Sequence, residues 1–196
     1  MTPNRRLDRR AVAARLLADR NDALVVTGLG STTYDVASVG DDDRNFYLWG
    51  AMGGAAMMGL GLALAQPKRP VIVVTGDGEA LMGLGAFAAI AKEAPGNLSV
   101  IIFDNELYGE TGAQTTHTAH GTDLAKVAAA CGVGDAKTVT TMDEVAALAK
   151  RAGTLGTAPT VAIVKIDTAD APRVIPVREG AYNKSRFRRA IGLPAD

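Results

Sequence analysis

A single cysteine, Cys131, stands in a chain of 196 residues. One thiol excludes an intramolecular disulfide framework, and the amino terminus lacks the apolar core of a secretion signal, so a reducing, cytoplasmic setting is expected. An excess of charge of either sign is also missing, because 21 Lys plus Arg balance 21 Asp plus Glu. That balance removes the broad field a dedicated nucleic-acid binder would use. Basic residues instead gather at the two ends: Arg5, Arg6, Arg9, Arg10, Arg15 and Arg20 read as a solvated helix face, and Asn183, Lys184 and Arg186 belong to a charged terminal helix in a basic tail over about 172–196. No apolar run reaches the roughly 20 residues a bilayer span requires; the most apolar stretch, 48–65, is interrupted by glycines and reads as a buried helix. No low-complexity linker or internal repeat divides the chain, so one domain over residues 1–196 is expected, and 47% apolar against 21% charged residues suits a folded core.

Short β-branched runs alternate with Ala-rich stretches along this chain. Residues 23–27, 71–75, 98–103, 137–140 and 160–166 read as strands, and three of them are almost continuously apolar, as parallel strands covered on both faces must be. Helices are expected over 8–19, 53–65, 80–93, 122–131 and 142–152, with Asp8, Thr122 and Thr141 as caps and Gly132 and Gly153 as stops. This is an α/β pattern: an open, mostly parallel sheet with helices on both faces. Ligands of such sheets sit beyond the carboxyl ends of the strands, which directs attention to the loops after Thr27, Thr75 and Phe103.

Two of those loops carry the sharpest signal. Thr75-Gly76-Asp77-Gly78-Glu79 ends one strand and opens a helix, and after the 26 intervening residues 79–104 comes Asn105, at the end of the next strand. One helix and one returning parallel strand fill that interval, so Asp77 and Asn105 should lie on neighbouring strand tips. A carboxylate and an amide oxygen are hard ligands suited to Mg²⁺, which is usually shared with phosphate groups. Gly76 and Gly78 permit close approach of a phosphate, and the free amides of the following helix would receive its oxygens. A magnesium-bound diphosphate is the expected ligand; a tight turn followed by an Asx turn is the purely structural alternative, which the combined spacing and placement disfavour.

Gly-Asp-Gly, 26 residues and then Asn resembles the cofactor signature of thiamine diphosphate enzymes. The resemblance implies that Asp77, Asn105 and the main-chain carbonyl of Leu107 hold the metal. Gly50-Ala-Met-Gly53 resembles the segment that props the bent cofactor, which assigns an apolar support to Met52 and a carbonyl contact to Gly50; Met52 alone fits core packing equally well. The loop Gly28-Leu-Gly-Ser31 resembles the other diphosphate-side loop loosely, giving Gly28, Gly30 and Ser31 either phosphate contacts or a structural turn, and Gly78, Glu79 and Glu110 would add further contacts. More narrowly, residues 105–117 and Asn183-Lys-Ser-Arg-Phe187 resemble the small β-type subunits of sulfopyruvate decarboxylase and the corresponding half of phosphonopyruvate decarboxylase.

The resemblance also implies an activity, decarboxylation of a small 2-oxo acid with the cofactor as electron sink. It implies a partner as well: members of the family pair this domain with a pyrimidine-binding one whose glutamate is required, and no second α/β unit is present to supply it. A separate α-type subunit, in an α2β2 or larger assembly, is therefore expected, with the Gly- and Met-rich segment 50–62 at the interface. A carboligase of the acetolactate-synthase kind and a non-catalytic nucleotide-binding module are the alternatives; the latter is weakened by a fingerprint at 28–33 that lacks its last glycine. His117 and His120 lack the companions of a zinc site and serve either as proton-relay or anion-binding catalytic groups or as plain surface residues.

Overall fold

A computed structural model describes residues 6–195, so Arg5 of the expected helix face lies outside the described residues. In chain order the elements are α1 (Arg9–Ala18), β1 (Leu24–Thr27), α2 (Ser31–Ser38), β2 (Asn45–Tyr47), α3 (Ala55–Ala65), β3 (Val71–Gly76), α4 (Asp77–Met82), α5 (Gly85–Glu93) and β4 (Leu98–Asp104). There follow β5 (Leu107–Tyr108), β6 (Gln114–Thr115), a 3-10 turn (His117–His120), α6 (Leu124–Ala130), β7 (Asp135–Val139), α7 (Met142–Ala152), β8 (Thr160–Lys165) and α8 (Gly180–Ala190). Six strands pair in the order β2-β1-β3-β4-β8-β7, all parallel, while β5 and β6 form a small antiparallel hairpin.

Strand side chains alternate between two cores, one on each face. Val25, Ile72, Val74, Ile101, Phe103 and Val164 point to the side covered by α1, α2 and α7. Their neighbours in sequence, Leu24, Val26, Val71, Val73, Val100 and Ile163, point to the side of α3, α5 and α6. Every residue of β4 is buried, and apart from Ser99 and the terminal Asp104 the strand is apolar, as one covered on both faces is expected to be. Each such Val, Leu or Ile contributes about 1.5–3 kcal/mol by leaving water. Close approach matters too: a Cβ on Gly59 would stand 2.1 Å from Val73 Cγ2, so glycine there lets α3 lie directly on the sheet. Asn97 closes the same helix by donating Nδ2 to the carbonyls of Ala63, Gln66 and Arg69.

Several expectations need correction. The helix expected over 80–93 starts earlier and is two helices, α4 and α5, divided at Gly83, where the backbone of Gly53 presses so closely that a Cβ would meet Gly53 O at 2.4 Å. Asp123 rather than Thr122 caps α6, accepting from the amides of Ala125 and Lys126. Asp8 does cap α1, and Thr141 forms a reciprocal capping box with Glu144 on α7. The basic face of α1 is not uniformly solvated, since Arg9 is 7% exposed and pairs with Asp35 of α2. In α8, Asn183 and Arg186 are buried against β2, the former donating to Tyr47 O and the latter bridging to Asp41. Among the described residues no helix is long and apolar enough to cross a membrane.

Candidate functional site

Parallel register sets the site. Gly76 of β3 pairs with Phe103 of β4, and Asp104 pairs with Lys165 of β8, so the three strands end side by side and their next residues share one rim. A cleft opens there. It is lined by Gly76, Asp77, Gly78 and Glu79 from the β3–α4 junction, and by Asn105, Leu107 and Glu110 after β4. Ser31 and Met52 also line it; Met52 is 40% exposed, which removes the core-packing alternative for that side chain.

Asp77 is only 1% exposed, at the first position of α4. Its Oδ2 lies 2.5 Å from Thr116 Oγ1 and 3.1 Å from Thr118 Oγ1, and Thr118 Oγ1 also reaches Asp104 Oδ1 at 2.9 Å. Each hydroxyl has one proton to give. With both carboxylates ionised, Thr116 serves Asp77 and Thr118 serves Asp104, which leaves the Thr118–Asp77 approach without a proton. Burial, above all, and the Asp104 charge push the Asp77 carboxyl up to about 6. No side-chain donor among the described residues reaches its other oxygen, Oδ1. A buried carboxylate with one oxygen that takes no side-chain hydrogen bond is a donor suited to a cation, whose charge would reverse the cost of burial. Asn105 Oδ1 accepts the Leu107 amide at 3.0 Å, so the Asx turn forms, and the same oxygen retains a second lone pair.

Other expected residues take different places. Glu79, 4% exposed, spends its carboxylate on the amides of Leu29 (3.0 Å) and Ala55 (3.4 Å), tying the loop after β1 to the start of α3. Burial pushes its carboxyl up as well. Gly28 does not line the cleft but lies against that carboxylate, where a Cβ would come within 1.8 Å of Glu79 Oε2. Gly30, at φ +77, precedes α2, and a Cβ there would meet Glu110 Cγ at 2.7 Å. Gly50 is exposed at φ +76 and does not line the cleft, although its neighbour Met52 does. His117 and His120 are both exposed and stand outside it; His120 Nε2 bonds Thr115 Oγ1 at 3.0 Å. Among the described residues no three His, Cys, Asp or Glu side chains gather to hold a metal, so a cation here would draw on amide, carbonyl and ligand oxygens beside Asp77.

Sequence reasoning missed Arg9. It is the one cation among the described residues lining the cleft, and Asp35 holds it through Nε at 2.9 Å and one terminal nitrogen at 2.8 Å. A signal existed, because Arg9 shares a helix face with Val12, Ala13 and Leu16 at helical spacing, and all three are buried. Thr116, Thr118 and Lys165 had no comparable local signal.

Residues 28–166 match the family model described as thiamine pyrophosphate enzyme, C-terminal TPP binding domain. The chain belongs to the thiamine pyrophosphate enzyme family. Phosphonopyruvate decarboxylase of Streptomyces viridochromogenes is 40% identical over 191 residues, which is 94% of this chain and 46% of that protein. Sulfopyruvate decarboxylase subunit beta of Methanothermobacter thermautotrophicus is 41% identical over 126 residues, 64% of this chain and 67% of that subunit. A thiamine diphosphate-dependent 4-hydroxybenzoylformate decarboxylase of Rhodococcus jostii superposes with a TM-score of 0.68 at 22% identity, over 85% of this chain and 34% of that one, which shows a shared fold. The chain thus spans less than half of the phosphonopyruvate decarboxylase it matches.

Proposed function

We propose that this chain is the diphosphate-binding subunit of a two-component thiamine diphosphate-dependent decarboxylase acting on a short 2-oxo acid with a second anion, a sulfonate or a phosphonate. The supporting observation is the cleft that Asp77, Asn105 and Leu107 share at neighbouring strand tips. In this reading Asp77 Oδ1, Asn105 Oδ1 and the Leu107 carbonyl hold Mg²⁺. Gly76 and Gly78 leave room for the diphosphate; Ser31 and Glu110 border it, and Gly28 and Gly30 shape that wall from behind. Met52 supports the cofactor ring, and the Gly50 carbonyl receives its amino group. When bound, the cofactor supplies the electron sink for the pair left by departing carbon dioxide. His117 and His120 stand outside the cleft, so a part in proton transfer requires the assembled enzyme.

Names of relatives support the substrate class and the partner: sulfonate- and phosphonate-bearing 2-oxo acids appear in them, as does "subunit beta". Met57, Leu64 and Met82 are 46–59% exposed, an apolar surface suited to a pyrimidine-binding subunit. The enzyme is then a cytoplasmic hetero-oligomer, α2β2 or larger, and this chain alone is inactive. Reconstitution with a pyrimidine-binding polypeptide, Mg²⁺ and thiamine diphosphate tests this. Sulfopyruvate or phosphonopyruvate should yield carbon dioxide and the corresponding aldehyde; a carbon–carbon coupled product without aldehyde, or no turnover of either acid, would overturn it.

A further inference from the structure

Asn105 sits between two acidic residues, and one cation touches both. Lys165 Nζ lies 2.6 Å from Asp104 Oδ2 and 3.0 Å from Glu106 Oε1. Glu106 receives a second cation, Arg6, at 2.5 Å. The tip of β4 needs such restraint: Glu106 is a non-glycine residue at φ +64, a conformation that costs about 1–2 kcal/mol unless its surroundings impose it. Asp104 is 1% exposed and shares Thr118 with Asp77, so an uncompensated charge there would repel the metal-site carboxylate and the Glu106 side chain together.

We propose that Lys165 is a positioning residue for the divalent cation: by clamping Asp104 and Glu106 it fixes the Asn105 side chain and the Leu107 carbonyl at the mouth of the cleft opposite Asp77. The inference rests on the metal reading given above and extends it to a residue that touches neither metal nor cofactor. Register supports it, since Lys165 is the direct β8 partner of Asp104, and the backbone on both sides of the tip is tied as well, Ile166 N donating to Asp104 O at 3.1 Å and Thr116 N to Glu106 O at 2.9 Å. Lys165 also neutralises Asp104, which leaves Asp77 as the carboxylate that meets the ion.

The test is a calorimetric titration with Mg²⁺, at fixed thiamine diphosphate, of the chain assembled with its pyrimidine-binding partner. Lys165→Met is expected to raise the Mg²⁺ dissociation constant by about tenfold or more, the usual effect of removing a group that orients a metal ligand, while Lys165→Arg, which keeps the charge and the reach, restores it to within about threefold. Unchanged or tighter Mg²⁺ binding in Lys165→Met overturns the proposal. Should that variant fold poorly, Glu106→Gln removes one arm of the clamp from the half-exposed loop; a severalfold weakening supports the proposal and a wild-type dissociation constant overturns it. Asn105→Ala separates the two ideas. If it binds Mg²⁺ normally, the metal reading itself fails; if it loses the ion while Lys165→Met keeps it, only the clamp fails.

Discussion

Replacing Asp77 by asparagine should stabilise the protein free of metal while destroying its response to metal. The carboxyl ordinarily titrates near 3.8 and is pushed up to about 6 in the fold, first by burial. Between those values the unfolded chain has released the proton and the folded chain still holds it, so stability falls as pH rises through that window and the loss is complete above about 6. Two pH units correspond to about 3 kcal/mol. Asparagine has nearly the same shape, and the Thr116 and Thr118 hydroxyls can rotate to accept from its amide, so most of that cost should be recovered. For a chain of this length 1 kcal/mol shifts Tm by about 2–4 °C, which places the Asp77→Asn variant about 5 °C above wild type at pH 7. Calorimetry at pH 7 and pH 4, with and without Mg²⁺ plus thiamine diphosphate, reads the whole pattern. The gap should close at pH 4, and added ligands should raise the Tm of wild type only. A variant no more stable than wild type at pH 7, or a gap that does not narrow in acid, refutes the reasoning.

Three further outcomes follow from the same geometry. Glu79→Ala strips acceptors from the half-buried Leu29 amide and the buried Ala55 amide and should cost about 2–4 kcal/mol of stability in urea unfolding, roughly two unsatisfied donors. Arg9→Met removes the cation lining the cleft and leaves the buried Asp35 to Arg10 alone, so affinity for Mg²⁺-pyrophosphate measured by calorimetry should fall about tenfold and Tm should fall with it. The Asp41 carboxyl is held below its ordinary range by Arg186 and Tyr47 despite partial burial, so that pair stabilises above the unfolded carboxyl range and the contribution disappears as pH falls through the lowered value. Because Asp41 is about half exposed, Arg186→Met should remove on the order of 1 kcal/mol of this acid-dependent stability, read as a loss of the difference between Tm values at pH 6 and pH 3.

The central strands were legible because burial on both faces favours nearly continuous apolar runs, interrupted in β1, β3, β4 and β8 only by Thr27, Thr75, Ser99, Asp104, Thr160 and residues at the strand ends. β2 and α2 were not. Asn45–Tyr47 is a three-residue edge strand, too short to show a period, and it is held partly by Arg20 from the turn after α1 and by Arg186 from α8. Ser31–Ser38 is rich in residues that prefer caps and turns; its helix is imposed by burial of Thr32, Thr33 and Asp35, with Thr33 bonded to Thr27 and to the Gly28 carbonyl. The Ala-rich helix breaks at Gly83, which leaves helical geometry at φ −113, ψ 28 and lies so close to the backbone of Gly53, thirty positions away, that no larger residue fits there.

At the site the same division separates donors from what aims them. Asp77 and Asn105 could be placed together because a strand–helix–strand unit converts a fixed interval of chain into proximity, so their spacing carries spatial information, whereas Leu107 was named only through the family resemblance. Nothing in the local sequence links Thr118 or Lys165 to Asp104; the hydroxyl arrives from the turn after the β5–β6 hairpin and the ammonium from β8, the neighbour of β4 in the sheet. Glu79 has a role the motif does not announce: it lines the cleft, as its place beside Gly78 suggested, while its oxygens accept from the amides of Leu29 and Ala55. By holding the loop at Leu29 and the start of α3 at Ala55, that carboxylate prepares the walls of the cleft it lines, an ordering of the backbone that its position beside the motif does not reveal.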